Sequence, residues 1–271
     1  MGDTDDLSTD EALSIGRDAA EAGADIACRY FRDGVGNDFK RDRMDPVSKA
    51  DKEAQDRIVT VLADRDPQAT VVGEENDIPK TVPEDGPAWV VDPIDGTNNF
   101  VRDNRLWSVS LARTVDGEPI AGVTHLPAIG DTYLAGADGV TRNGDACSVS
   151  DRRDPSAVIA APIFGLKERD RDDYDVVTSY VHHELGDLRR VGSGQTSLAR
   201  VACGEIDVAV STVELTPWDT VAGVHMVRAG GGRITDLAGE RWRHDSDSLI
   251  ATNGARHEEI RAGLRERLDE R

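Results

Sequence analysis

A chain of 271 residues is long enough for one large α/β domain with a substantial core, and no internal repeat or low-complexity linker forces a division. Its 52 acidic residues outnumber 32 basic ones, giving a net charge of -20 that repels nucleic acid and anionic lipid and argues against both as partners. No apolar run approaches the roughly 20 residues that span a bilayer, and the acidic start Met1-Gly2-Asp3-Thr4-Asp5-Asp6 is unlike a basic secretion signal, so a cytoplasmic protein is expected.

The charge has a second implication. The only lysines are Lys40, Lys49, Lys52, Lys80 and Lys167, and an acidic, lysine-poor surface suits a halophilic, salt-loaded cytoplasm, where screening over a few ångströms suppresses self-repulsion. Cys28, Cys147 and Cys203 are few, odd in number and far apart; they fit a reducing compartment and suggest neither a zinc motif nor a disulfide framework. Cys28 and Cys203 fall on predicted helices, where packing is their expected role.

In chain order, Ser8-Thr9-Asp10-Glu11 resembles a capping box and opens a helix with Leu13, Ala20, Ala24, Ala27 and Phe31 on one apolar face. A second helix follows Asp51, with Ala54, Ile58, Val61 and Leu62 inward. Strands are predicted at 70–73, 88–92, 109–114, 120–125 and 132–135. Beyond Asp154 come a strand near 157–161, helices near 174–183 and 196–202, a strand at 206–210, a helix at 218–229, a strand at 249–252 and a helix from Arg256. This recurrence of both element types predicts an α/β or α+β fold without fixing strand order.

The strongest chemical signal is Asp92-Pro93-Ile94-Asp95-Gly96-Thr97, taken with Gly73-Glu74-Glu75 and Pro217-Trp218-Asp219-Thr220. These segments supply four carboxylates at expected element ends, and oxygen donors suit hard divalent cations. Pro93 biases Asp92 toward extended backbone, so the strand Trp89-Val90-Val91 is expected to end there. Asp95 can point back to the same place, Gly96 permits close approach to a ligand, and Thr97 offers a hydroxyl. A helical turn starting near Gly96 would aim free amides at the same pocket. Asp95 could equally be an ordinary helix cap. The pair His182-His183 is read as a solvated helix end, because adjacent side chains on a helix point apart. His125 and His225 are read as turn or packing residues. Gly192-Ser193-Gly194 lacks the Gly-Lys-Ser/Thr ending of a nucleotide loop.

These motifs together resemble the inositol monophosphatase family. Asp92 to Phe100 is similar to its first signature, and Trp218-Asp219 with Ala222-Gly223 and Ala229-Gly230-Gly231 is similar to its second. Gly73-Glu74-Glu75 stands at the expected distance upstream. Asp45-Pro46-Val47-Ser48-Lys49-Ala50-Asp51 looks like the family's Asp-x-Val-Thr-x-x-Asp segment, and Lys40 stands where the family carries a loop lysine. The likeness runs in order from about residue 10 to about residue 260.

The resemblance implies a layered α-β-α-β-α sandwich, read as one phosphatase domain over 1–271 with a subdomain division near residue 154. It also implies a homodimer. It assigns two or three Mg2+ ions to Glu74, Asp92, Asp95, Asp219 and the carbonyl of Ile94. Glu74 and Thr97 would orient the attacking water, with Asp51 in the same catalytic group. Lys40, the amides of Gly96 and Thr97, and Gly194 would meet the substrate. Near the sugar this chain departs from the family by an apparent one-residue shift, which leaves Ser211 and Glu214 as alternatives. The implied activity is hydrolysis of a small polyol or sugar monophosphate, inositol-1-phosphate or fructose-1,6-bisphosphate, with lithium as inhibitor. The alternatives are a 3'-phosphoadenosine 5'-phosphate phosphatase and a non-catalytic regulator on the same fold, since fold alone does not fix function.

Overall fold

The computed structural model describes residues 7–32, 49–75, 77–165 and 167–270. Lys40 and the Asp45–Ser48 part of its motif lie outside them. Helix α1 (Thr9–Tyr30) opens on the capping box foreseen at Ser8, whose side chain accepts from the Glu11 amide while Glu11 reaches back to Ser8. Its buried face is broader than the sequence suggests and shifted from it: Ala12, Ile15, Gly16, Ala19, Ala20, Gly23, Ala24 and Ala27 face inward while Leu13 is only half-buried. Small residues win there because helix α2 (Lys49–Arg65) and Trp89 press close. A side chain at Gly23 would run into Ile58, and one at Gly16 into the Trp89 ring.

Strands β1 (Thr70–Gly73), β2 (Pro87–Asp95), β3 (Ser108–Val115), β4 (Glu118–Leu126), β5 (Asp131–Gly136), β6 (Gly139–Arg142) and β7 (Asp145–Cys147) form a seven-stranded sheet in sequence order. Only β1 and β2 run parallel; the rest are antiparallel neighbours. A second sheet has the order β11-β12-β10-β8-β9, from β8 (Ile159–Pro162), β9 (Asp187–Leu188), β10 (Val208–Ser211), β11 (Arg233–Thr235) and β12 (Leu249–Thr252). The remaining helices are the short α3 (Thr97–Phe100), α4 (Arg171–Glu184), α5 (Gly194–Ala202), α6 (Val221–Ala229) and α7 (His257–Asp269).

Three apolar clusters stack these pieces. Helices α1 and α2 cover one face of the first sheet through Ile15, Ile58, Trp89, Val91, Leu111 and Val123. Helices α5 and α6 fill the space between the sheets, where Leu198, Val224 and Met226 meet Val90, Tyr133 and Ala209. Helices α4 and α7 close the far face of the second sheet through Val177, Val181, Ile250 and Leu264. The result is the α-β-α-β-α layering, with each sheet buried on both faces.

Four sequence expectations are corrected. Strand β2 does not stop at Asp92 but runs through Pro93 to Asp95, because a bulge takes up the proline without ending the ladder. Strands β6, β7, β9 and β11 were not foreseen; they have 2 to 4 residues each, too few to show a period. The helix expected from Trp218 is a 3-10 turn at Pro217–Asp219 followed by α6. Cys147 and Cys203 form a disulfide with Cα atoms 4.9 Å apart, joining β7 to the end of α5, and Cys28 is exposed instead of packed. Among the described residues no helix is long and apolar enough to cross a membrane.

Candidate active site

The bulge in β2 builds the site. Asp92 pairs with Ser110 and Asp95 with Ser108, so three steps along β2 answer two along β3. In a regular strand residues three apart face opposite sides. The extra residue cancels that alternation. Val91 and Ile94 both enter the core under α1 and α2, while Asp92 and Asp95 both turn toward α5 and α6.

Asp95 is then held by the start of α5. It accepts hydrogen bonds from the Gly194 amide at 3.1 Å, the Gln195 amide at 2.8 Å and the Ser193 hydroxyl, with Ser108 Oγ at 3.4 Å. The two readings of Asp95 therefore converge: it occupies a helix N-terminus, that of a helix 99 residues downstream rather than the adjacent turn. Ser193 is itself the cap of α5, accepting from the Thr196 amide at 3.1 Å. Asp92 accepts from the Ile94 amide at 3.0 Å. Asp219 arrives on the 3-10 turn, fixed by the Thr216 hydroxyl. Gly194 allows that approach, since a Cβ there would lie 2.9 Å from the Asp219 carbonyl.

Carboxylate oxygens of Asp92, Asp95 and Asp219 all lie within 4.8 Å of one another. Asp92 and Asp95 are 1% and 4% exposed. Burial first, then the charges of Asp95, Glu74, Asp219 and Asp51, push Asp92 well above the usual carboxylate range. Burial and the charge of Asp219 push Asp95 up to about 6, against the lowering pull of its Ser193, Gly194 and Gln195 donors. Asp219 is raised by burial and held back by Thr216 and by the charge of Lys167. Three acids this close, two buried and one half-buried, need protons or a cation between them. An all-oxygen, anionic donor set fits a hard divalent ion.

The other predicted residues distribute unevenly. Asp51 is buried on α2, and its charge reaches Asp92. Glu74 is exposed at the end of β1; its charge also reaches Asp92, but its carboxylate is outside the close triad. Gly96 adopts the left-handed conformation at φ 87° and caps α3, and a Cβ there would meet Gly192, Ser193 and Leu106 at 3.1 to 3.2 Å. The Thr97 hydroxyl donates to the Ile94 carbonyl at 3.1 Å, which leaves its lone pairs to accept. The Gly194 amide is committed to Asp95, so any contact with substrate must use another part of that turn. Ser211 is fully buried and its hydroxyl donates to the Val213 carbonyl at 2.9 Å, whereas Glu214 is exposed.

Sequence reasoning missed the supports: Ser193, Gln195 and Thr216. Gln195 is buried, donates to the Trp218 carbonyl and accepts from the Gly223 amide at 2.7 Å, so the segment that holds Asp95 also holds the turn bearing Asp219. The spacing of Ser193 to Thr196 carried a cap signal; Gln195 gave none, because its partners are 23 and 28 residues away. His125 bonds Thr132 at 2.8 Å, and His225 is a half-buried residue of α6; neither belongs to the acidic triad.

Comparison with known proteins decides the lineage. The profile of the inositol monophosphatase family matches residues 8–270. The chain belongs to that family. A fructose-1,6-bisphosphatase/inositol-1-monophosphatase from Thermotoga maritima is 30% identical over 230 residues, covering 83% of this chain and 85% of the relative. The Nus factor SuhB of Escherichia coli is 29% identical over 256 residues, covering 94% and 95%. The solved inositol monophosphatase of Thermotoga maritima superposes with a TM-score of 0.84 at 27% identity, over 96% of this chain and 98% of that one. As a family member the protein is a phosphoric monoester hydrolase of the metal-dependent kind, acting on phosphorylated small molecules, and the acidic triad can hold a metal.

Proposed function

We propose that this enzyme hydrolyses a small polyol or sugar phosphate with Mg2+, inositol-1-phosphate and fructose-1,6-bisphosphate being its substrates. The observation that carries this reading is the close cluster of Asp92, Asp95 and Asp219, two of them buried and the third half-buried, with carboxylate oxygens all within 4.8 Å of one another. Asp92, Asp95, Asp219, the Ile94 carbonyl and Glu74 would hold two or three ions, and bound Mg2+ would neutralise the phosphate, acidify a water and stabilise the leaving alkoxide.

The chain's own residues supply the rest. Asp95, locked by α5, and Asp92, locked in the β ladder, present charge without rearrangement. Thr97, its proton given to Ile94, accepts from the attacking water and with Glu74 sets its direction; Asp51 supports that pair. The amides of Gly96 and Thr97 meet the phosphate, and Glu214 faces the sugar. Lys40 acts from outside the described residues. We read the whole chain as a single phosphatase domain, forming a homodimer in a halophilic cytoplasm.

Phosphate release from inositol-1-phosphate, fructose-1,6-bisphosphate and 3'-phosphoadenosine 5'-phosphate, with Mg2+ at high salt, tests the reading. Turnover of either of the first two supports it; preference for the nucleotide overturns the substrate assignment. The likeness to a protein named Nus factor favours a second reading, a regulator that binds a partner. That reading gains if none of the three is hydrolysed. Lithium at millimolar levels is expected to inhibit.

A further inference from the structure

We propose that Lys80 is a positioning residue for the metal-binding arm at Glu74, clamping that arm and docking it against the turn that carries Asp219. The inference rests on the metal-dependent reading above. After β1 the chain passes through Glu74 and Glu75 and returns, with the Gly73 amide donating to the Pro79 carbonyl at 3.2 Å. Lys80 follows at once. Its ammonium donates to the carbonyls of Gly73 and Glu74 at 2.8 Å each and of Glu75 at 3.2 Å. An ammonium has three N–H bonds. Those three carbonyls belong to consecutive peptides flanking one predicted ligand.

Gln55 holds the same stretch from the other side. Fully buried on α2, one turn beyond Asp51, it accepts from the Glu75 amide at 2.8 Å and donates to the Glu75 carbonyl. The Glu74 peptide is thereby fixed between a buried amide and a surface cation. The Lys80 nitrogen also lies 5.9 Å from the centroid of the Trp218 ring, the residue before Asp219, within cation–π range. Trp218 in turn accepts through its carbonyl from Gln195, whose amide binds Asp95. Lys80 thus joins the exposed Glu74 arm to the scaffold that Asp95 and Asp219 share.

Electrostatics gives the clamp a task. Glu74 approaches a cluster of like charges, and its turn would open to relieve that repulsion unless something held the main chain. An ammonium does so while adding positive charge on the outer side. Arginine is a poor substitute, because a planar fork directs its donors in one plane and cannot converge on three successive carbonyls.

Calorimetric Mg2+ titration and steady-state kinetics on the full chain test the proposal. Lys80→Met is expected to weaken Mg2+ binding roughly tenfold, the scale of losing an outer support of a metal ligand, with kcat at saturating Mg2+ nearly unchanged. Lys80→Arg should fall between it and the wild type. The melting temperature of the metal-free protein should not move, since Lys80 is exposed. Unchanged Mg2+ affinity in Lys80→Met, or a kcat loss that saturating Mg2+ does not restore, overturns the positioning role. Glu74→Gln separates the two layers. If it leaves Mg2+ binding and turnover intact, the assignment of Glu74 to the site fails; if it impairs both while Lys80→Met is neutral, only the clamp fails.

Discussion

The acidic site has two halves that are built differently. Asp92 and Asp95 sit on one long strand, nearly inaccessible, with the ladder to β3 on one side and the amides of α5 on the other. Glu74 and Asp219 sit on short turns, exposed or half-buried, and are held by side chains: Lys80 and Gln55 for one, Thr216 and Gln195 for the other. The first half is fixed by backbone that the fold needs anyway. The second is fixed by a few side chains that the fold could lose. Its geometry is therefore easier to change one residue at a time.

The strongest break of this contrast is Asp92→Asn. Removing one charge from the rigid half should abolish turnover and most Mg2+ binding; near-wild-type turnover would refute the metal-site assignment. Thr97→Val should spare every carboxylate and lose only the hydroxyl that accepts from water. A fall in kcat of ~10² is expected with Mg2+ affinity retained, and normal kinetics would reject that role.

A pH series sharpens the comparison next. Burial and neighbouring charge push Asp95 up to about 6 and raise Asp92 well above the usual carboxylate range, so protons compete with the metal for the rigid half. Mg2+ affinity should fall as pH drops through about 6, and binding near neutrality should release protons, which calorimetry in buffers of differing ionisation heat measures. Without metal the sign reverses for stability. A buried acid whose pKa is raised in the fold favours the folded state most at low pH, so its contribution is lost as pH rises from the ordinary carboxylate value through about 6. Flat Mg2+ affinity between pH 5 and 8, on the order of that window, would contradict the raised values.

Support residues should divide by half. Thr216→Val is expected to cost about tenfold in Mg2+ affinity with little change in stability. Ser193→Ala should do the opposite, costing about 1 kcal/mol of stability as a lost cap while Asp95 keeps its two amide donors. Equal effects on binding would erase the distinction. The smallest expected change is in melting temperature with salt: the net charge of -20 should make the fold weaken as potassium chloride is diluted at fixed Mg2+. A constant midpoint would remove the case for adaptation to salt.

The sequence made the layers and the acidic triad legible for different reasons. Long amphipathic stretches such as Thr9–Tyr30 announce themselves through period and cap, and Leu249–Thr252 through a short apolar run. The carboxylates were legible as residue types in recognisable motifs. Their convergence was not, because it depends on a bulge and on a helix about a hundred residues away. The inward turn of Ser211 was equally hidden: nothing in Ser211-Thr212-Val213 tells a turn-closing hydroxyl from one facing a ligand. The disulfide was missed because Cys147 and Cys203 lie 56 residues apart and meet only through the tertiary fold.

The bulge in β2 makes the metal site a matter of counting. Between Asp92 and Asp95 the chain has one residue more than β3 requires, and that surplus sets the parity of everything that follows on the strand. Pairing the same four residues with β3 in a regular ladder, without the bulge, would leave an intact sheet. It would also send one carboxylate into the apolar layer under α1 and bring an isoleucine side chain to the site. The same segment can thus present a catalytic or a blank face, and a single step of register, not any side chain, separates the two.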